Sequence, residues 1–198
     1  MKKVAIILAE GFEEIEALTT ADILRRAGIT CDLMSIDKEL VSSCHKITVK
    51  VDKIFDDSVN EYDMIVLPGG LPGATNLAEN SKLVETIKKF NNDKSKYVAA
   101  ICASPAIVLS KAGITENRFI TSYPDEEFES LLKDANFVDE LVVVDGNLIT
   151  SRGPATTMLF AYKLVDILGK NSENLKEGML WNMLENEQCC VTIDVKQN

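Results

Sequence analysis

Tyr97-Val98-Ala99-Ala100-Ile101-Cys102-Ala103-Ser104-Pro105 decides the fold. Its first five residues have no charged interruption and read as a strand covered on both faces, the kind found in parallel sheets. Small residues then carry the chain round a corner, and Pro105 stands where the first turn of a helix favours it. Cys102 sits on the corner itself. Working outward, the same succession repeats. Val4–Leu8 is an apolar strand, followed by a helical pattern over Glu13–Arg26 that Ala27-Gly28 closes. Cys31–Ile36 reads as a strand, Val41–Val51 as a more polar hairpin or edge segment, and Met64–Leu67 as a strand stopped by Pro68-Gly69-Gly70. Lys82–Phe90 is an amphipathic helix and Pro105–Lys111 a short one. Phe119–Thr121 predicts a further strand and Glu126–Asp134 a helix. Glu140–Val144 and Leu148–Ser151 flank Asp145-Gly146-Asn147, a hairpin signal, and a long helix runs from Pro154 to Leu168-Gly169. From Asn171 a last helix is expected through Trp181, with Cys189–Val195 either a strand or a loosely packed end. Strands alternating with helices predict an α/β domain, its mostly parallel sheet covered by helices on both faces.

The chain has 198 residues, roughly 1.3 times a typical domain of about 150, so one domain over 1–198 is expected. Apolar residues at 46% and charged residues at 26%, with mean hydropathy +0.03, describe a globular chain rather than a disordered one. A net charge of -10 and a pI of about 4.7 give no general attraction to phosphate backbones or anionic lipid, so neither nucleic acid nor membrane is an expected partner. The apolar run after Lys2 and Lys3 stops at Glu10-Gly11, too short for an export core. Cys31, Cys44, Cys102, Cys189 and Cys190 are scattered with no Cys-x-x-Cys pair, which fits reduced thiols in a cytoplasmic protein. With His45 the single histidine, no metal site is expected.

Ligands of open α/β sheets bind outside the carboxyl ends of the strands. The exits here are Ala9-Glu10-Gly11, Pro68-Gly69-Gly70, Ile101-Cys102-Ala103-Ser104-Pro105 and Thr150-Ser151-Arg152-Gly153-Pro154, all rich in small residues that let backbone amides approach a ligand. The corner at Cys102 resembles the nucleophile elbow of hydrolases with sulfur replacing the hydroxyl. Helix amides there should hold the thiol below the ordinary value of about 8.5. A buried structural thiol is the competing reading. Glu16 heads a stripe with Thr20, Ile23, Leu24 and Ala27 that should face the sheet, where a carboxyl group is costly unless protonated or paired. Glu13 and Glu14 read instead as a solvated acidic helix start. His45 follows Cys44 directly, and on a strand the two would point to opposite faces. Lys46, Arg25, Arg26 and Arg152 could line a pocket or pair with acids at the surface; Cys189-Cys190 reads as incidental.

Taken together, five segments resemble the DJ-1/PfpI (ThiJ/PfpI) superfamily, on its parkinsonism-protein branch. They are Gly11-Phe12-Glu13-Glu14-Ile15-Glu16-Ala17, Asp22-Ile23-Leu24-Arg25-Arg26-Ala27-Gly28, Val66-Leu67-Pro68-Gly69-Gly70, Ala99-Ala100-Ile101-Cys102-Ala103-Ser104-Pro105 and Thr150-Ser151-Arg152-Gly153-Pro154. The likeness runs to about Gly169 and fades beyond about residue 170. It implies a flavodoxin-like (class I glutamine amidotransferase-like) α/β sandwich, a homodimer, and chemistry that needs no cofactor. By the same resemblance, Cys102 matches an oxidation-prone cysteine and Glu16 the carboxylic acid beside it. Gly69, Gly70 and Ala103 match oxyanion or substrate-binding positions. Arg152, Arg26 and Lys46 (in place of an arginine) match basic groups near the pocket. Where Cys–His members of the family carry a histidine, this chain has Tyr123, so protease-like acyl transfer lacks its base.

Two functions remain open at this level. One is an enzyme converting 2-oxoaldehydes to 2-hydroxy acids or releasing glycation adducts, as in a glyoxalase III or deglycase, with a small dicarbonyl or glycated molecule as substrate. The other is a redox sensor or stress-protective chaperone switched by oxidation of Cys102 to sulfinate. A flavin carrier is disfavoured, because no Ser/Thr/Gly-rich phosphate loop follows the first strand.

Overall fold

The unbroken apolar runs become the middle of a seven-stranded sheet in the computed structural model of the chain, which describes residues 2–185. In chain order the elements are β1 (Lys3–Leu8), α1 (Glu14–Arg26), β2 (Thr30–Ser35), β3 (Leu40–Ser42), β4 (Thr48–Lys50), β5 (Lys53–Ile54) and β6 (Met64–Leu67). Next come α2 (Gly73–Glu79), α3 (Ser81–Asn92) and β7 (Tyr97–Ile101), then a widened helical turn over Pro105–Leu109 that runs into α4 (Ser110–Ala112). The rest comprises β8 (Phe119–Ile120), α5 (Glu126–Leu131), β9 (Asn136–Phe137), β10 (Val142–Asp145), β11 (Leu148–Ser151), α6 (Thr157–Ile167), α7 (Glu173–Gly178) and α8 (Trp181–Glu185).

The sheet order is β10-β11-β7-β6-β1-β2-β5, parallel throughout except for the antiparallel edge pair β10–β11. From β1 the chain first moves outward through β2, then returns to β6 and continues the other way. The switch therefore falls between β1 and β6, the place where an open α/β sheet leaves a crevice at its carboxyl edge. Alternate residues of β1 serve the two faces. Ala5 and Ile7 join Ile65, Leu67 and the residues of α2 and α3 in one core; Val4, Ile6 and Leu8 join Met64, Val66 and those of α1 and α6 in the other. Burying side chains of this size contributes roughly 1.5–3 kcal/mol each as an upper bound. This is the flavodoxin-like, class I glutamine amidotransferase-like sandwich.

Several local expectations need correction. A helix, α2, occupies 73–79, a stretch for which the sequence pattern predicts no element; its start at Pro72 has no side-chain cap to announce it. The helix expected over Glu126–Asp134 stops at Leu131, and the one after Asn171 breaks into α7 and α8 around Leu180, whose φ is +61°. Cys44 and His45 lie beyond β3, in the turn to β4, so strand alternation does not separate their side chains. The Cys189–Val195 segment and the Cys189-Cys190 pair lie outside the described residues. Among the described residues, no helix is long and apolar enough to cross a membrane.

Candidate active site

Cys102 leaves β7 with φ +65°, a left-handed conformation uncommon for a residue with a Cβ. Its amide is tied to Ser151 O at 3.0 Å on the neighbouring β11, and its carbonyl accepts the Tyr123 N–H at 2.9 Å. Ser104 fixes the far side of the corner, its hydroxyl donating to Pro68 O at 2.6 Å. Two strand exits and one loop thus hold a backbone strain of the kind found at functional elbows.

Glu16 is fully buried on the inner stripe of α1. Its Oε2 accepts the Gly69 N–H at 2.7 Å, while Oε1 is buried with no hydrogen-bond partner. A carboxylate oxygen left in that condition is costly, and protonation removes the cost. Burial accordingly pushes the Glu16 carboxyl up to about 7, against the Gly69 amide and the Cys102 thiol, which favour its ionised form. Glu16 and Cys102 are therefore electrostatically coupled.

The sulfur does not behave as the helix-amide argument alone expects. Burial pushes the Cys102 thiol up, and the charge and acceptor oxygens of Glu16 push it further, against the N–H groups of Ala103 and Gly70. Two of those three upward causes exist only while Glu16 is ionised. As pH rises through neutrality the carboxyl gives up its proton while the thiol keeps its own, so the pair titrates as a coupled unit rather than as an isolated thiolate.

Glu13 also departs from the expected solvated helix start. It is only 5% exposed, and its side chain caps α1 by accepting the Glu16 N–H at 2.7 Å. Desolvation pushes its carboxyl up. The spacing of three residues between the capping carboxylate and the donor amide was the available signal, hidden because three carboxylates crowd one helix start. Glu14 is half-buried and pairs with His45 at 3.0 Å.

Two glycine loops make this arrangement possible. A Cβ on Gly69 would stand 2.7 Å from the Cys102 Cβ, and one on Gly70, where φ is +84°, would stand 2.5 Å from the Glu13 amide nitrogen. The Gly69 amide is consumed by Glu16, so the donors facing the sulfur are Gly70 and Ala103 rather than the Gly69–Gly70 pair. Around the sulfur opens a cavity of about 230 Å³ lined by Gly70, Leu71, Cys102, Ala103, Tyr123 and Phe128. Tyr123 and Phe128 meet edge to face at 6.4 Å, forming its outer wall. Leu71 and Phe128 were not read from the sequence as site residues.

The basic residues divide. Arg152 is ion-paired with Asp139 and lines an adjoining cavity of about 350 Å³ that shares Tyr123 with the first. Lys46 is exposed in the β3–β4 turn with φ +66°. Arg26 is not brought to the cavity within this chain: it lies ten residues beyond Glu16, about 15 Å along α1, and pairs with Asp22 at 2.6 Å.

Residues 2–167 match the family model described as DJ-1/PfpI family. Protein dj-1beta of Drosophila melanogaster is 38% identical over 184 residues, 90% of this chain and 97% of that protein. Its crystal structure superposes with a TM-score of 0.85 at 35% identity, covering 90% of this chain and 97% of that one. Oxidized DJ-1 of Toxoplasma gondii gives a TM-score of 0.83 at 33% identity, over 93% and 98% of the two chains. Protein DJ-1 homolog B of Arabidopsis thaliana is 39% identical over 83% of this chain, which spans 37% of that longer relative. With the family model matched over nearly the whole described chain, a matched fold and these relatives, the chain belongs to the DJ-1/PfpI family, on its DJ-1 branch.

Proposed function

We propose that this is a cysteine-dependent stress-response protein that converts 2-oxoaldehydes to 2-hydroxy acids, or removes the early adducts they form, without a cofactor. The observation that carries the reading is the buried Glu16 carboxyl, raised to about 7, electrostatically coupled to Cys102 at the edge of a cavity. In this scheme the Cys102 sulfur adds to the aldehyde carbon of a methylglyoxal-type substrate, and the carbonyl oxygen takes up the thiol's proton, giving a hemithioacetal. Gly70 and Ala103 N–H groups favour the negative charge that passes through the site. The Glu16 carboxylate removes the remaining hydrogen from that carbon as a proton and returns it to the neighbouring carbon, while the hydroxyl proton of the hemithioacetal passes to the former ketone oxygen. The product is a thioester of the 2-hydroxy acid, and water releases the acid and restores the thiol. No redox partner is consumed. A carboxyl group near 7 can both accept and return a proton at neutral pH.

Tyr123 occupies the position where a hydrolytic member would need an imidazole, so protease-like acyl transfer is disfavoured. Arg152 and Lys46 would supply positive charge to an acidic product, Lys46 from a second copy in a homodimer. Half-exposed Ile15 and Ile47, chain neighbours of Glu14 and Lys46, give such a dimer apolar surface.

The same donors favour a second reading. Amides of Gly70 and Ala103 and a protonated Glu16 can hold the two oxygens of a sulfinate, formed as two equivalents of peroxide oxidise the thiol and leave as water. Incubating the purified protein with methylglyoxal and assaying lactate separates the two. Turnover that disappears in Cys102→Ser and Glu16→Ala supports the enzyme. No lactate above buffer, with a mass gain of two oxygens at Cys102 under mild peroxide, supports the sensor.

A further inference from the structure

Apart from Cys102, the structure gathers a second group of reactive side chains, away from the cavity. The His45 Nδ1 lies 3.0 Å from Glu14 Oε1 and 3.4 Å from the Cys44 sulfur, and that sulfur lies 3.8 Å from Glu14 Oε2. One ligand atom from each can be chosen so that all three lie within 4.8 Å of one another. We propose that Glu14, Cys44 and His45 form a binding site for a zinc-class divalent cation, with water in the fourth position.

The distances suit such an ion. A tetrahedral centre with bonds of about 2.0–2.3 Å has ligand-to-ligand edges of about 3.3–3.6 Å. The imidazole-to-sulfur separation of 3.4 Å already fits, and with a single Glu14 oxygen the three ligand atoms lie within 4.8 Å of one another, so the widest edge closes by up to about 1.2 Å, a distance that rotation of the Glu14 carboxylate can cover. A sulfur, an imidazole nitrogen and a carboxylate oxygen together favour zinc over hard cations such as magnesium and calcium, which take oxygen alone.

The scaffold holds the three in place from both sides. Cys44 N donates to Phe12 O at 2.9 Å and Gly11 N to Ser42 O at 2.8 Å, which fastens the β3–β4 turn to the residues leading into α1. Lys46, with φ +66°, closes the turn through its amide to Ser43 O at 3.0 Å. His45 is exposed, so the outer position is open to water. Electrostatics agree with the geometry: the carboxylates of Glu14 and Glu13 both act on the Cys44 sulfur, so a cation there meets negative charge. Binding then forms a metal–sulfur bond and releases the Cys44 proton to solvent.

The test uses the full chain in a Cys102→Ser/Cys189→Ser/Cys190→Ser background, titrated with zinc and, as a spectroscopic probe, cobalt(II). Expected are one equivalent bound, proton release on binding, and a thiolate-to-cobalt charge-transfer band. Cys44→Ser should abolish the band, and His45→Ala or Glu14→Gln should weaken binding by about a hundredfold, at least the loss seen when metal-supporting contacts are removed. Absence of the band, or a band indifferent to Cys44→Ser and His45→Ala, overturns the proposal. Should the substituted chains fail to fold, the unsubstituted protein decides. Zinc must then protect Cys44 from alkylation, read by peptide mass, and an unaltered Cys44 rate refutes the site.

Discussion

A methyl group on Gly69 would stand 2.7 Å from the Cβ of Cys102 and 3.0 Å from its sulfur, so the two residues leave no space between them. Neither neighbour can yield cheaply, because the Cβ belongs to a residue already held at φ +65°. Gly69→Ala is expected to destabilise the fold by about 1–3 kcal/mol and to slow alkylation of Cys102. Urea unfolding and iodoacetamide kinetics check it; an unaltered unfolding midpoint would mean that the elbow shifts freely.

Glu16 makes stability depend on pH with a definite sign. Its carboxyl is raised from 4.5 in an ordinary setting to about 7 in the fold. The folded chain therefore holds a proton that the unfolded chain gives up. The associated stabilisation is present below about 4.5 and is lost as pH rises through about 7, on the order of 3 kcal/mol in all. Glu16→Gln should flatten this slope. The comparison needs urea midpoints for both proteins at about pH 5 and about pH 8, and equal slopes would remove Glu16 as the cause.

The coupling between Glu16 and Cys102 also predicts the shape of a reactivity profile. In the unsubstituted protein, thiolate forms against a protonated Glu16 first and against an ionised one only at higher pH. Alkylation of Cys102 should rise in two limbs. Glu16→Gln removes one of the two titrating groups, leaving a single limb. Rates measured across the pH range decide this, and a single limb in both proteins would separate the two residues.

Asn147 offers a test remote from the cavity. Its amide donates to Asn91 O at 3.0 Å and Lys96 O at 3.1 Å, with Phe90 O at 3.3 Å, tying the β10–β11 turn to the end of α3. The residue is 4% exposed. Asn147→Ala should cost about 1–3 kcal/mol by leaving buried carbonyls without a donor. Thermal unfolding measures it, and a loss below about 0.5 kcal/mol would show that water replaces the amide.

The middle parallel strands β6 and β7 were legible because burial on both faces forbids charge within them. Met64–Leu67 and Tyr97–Ile101 begin and end where their apolar runs do. Cys102 and Glu16 could be singled out for related reasons, one from a corner of small residues, the other from a carboxylate on an apolar stripe. What stayed hidden depends on contacts distant in sequence. Glu13 is buried because the loop around Gly70 lies against it, and its own helix gives no sign of that. Arg26 shares a family-like segment with Asp22 and Gly28, yet helical rise carries it away from Glu16. The Glu14–Cys44–His45 group required the turn at Lys46 to bring two adjacent side chains to one carboxylate.

At Gly11, Gly70 and Gly73 the two loops on the inner side of the cavity abut main chain to main chain, and an added carbon at Gly73 would come within 2.6 Å of the Phe12 nitrogen. That wall has no slack for remodelling. Anyone wishing to alter which molecules enter must work on the opposite side, at Tyr123 and Phe128, where α5 contributes no fully buried residue and the chain can tolerate new shapes.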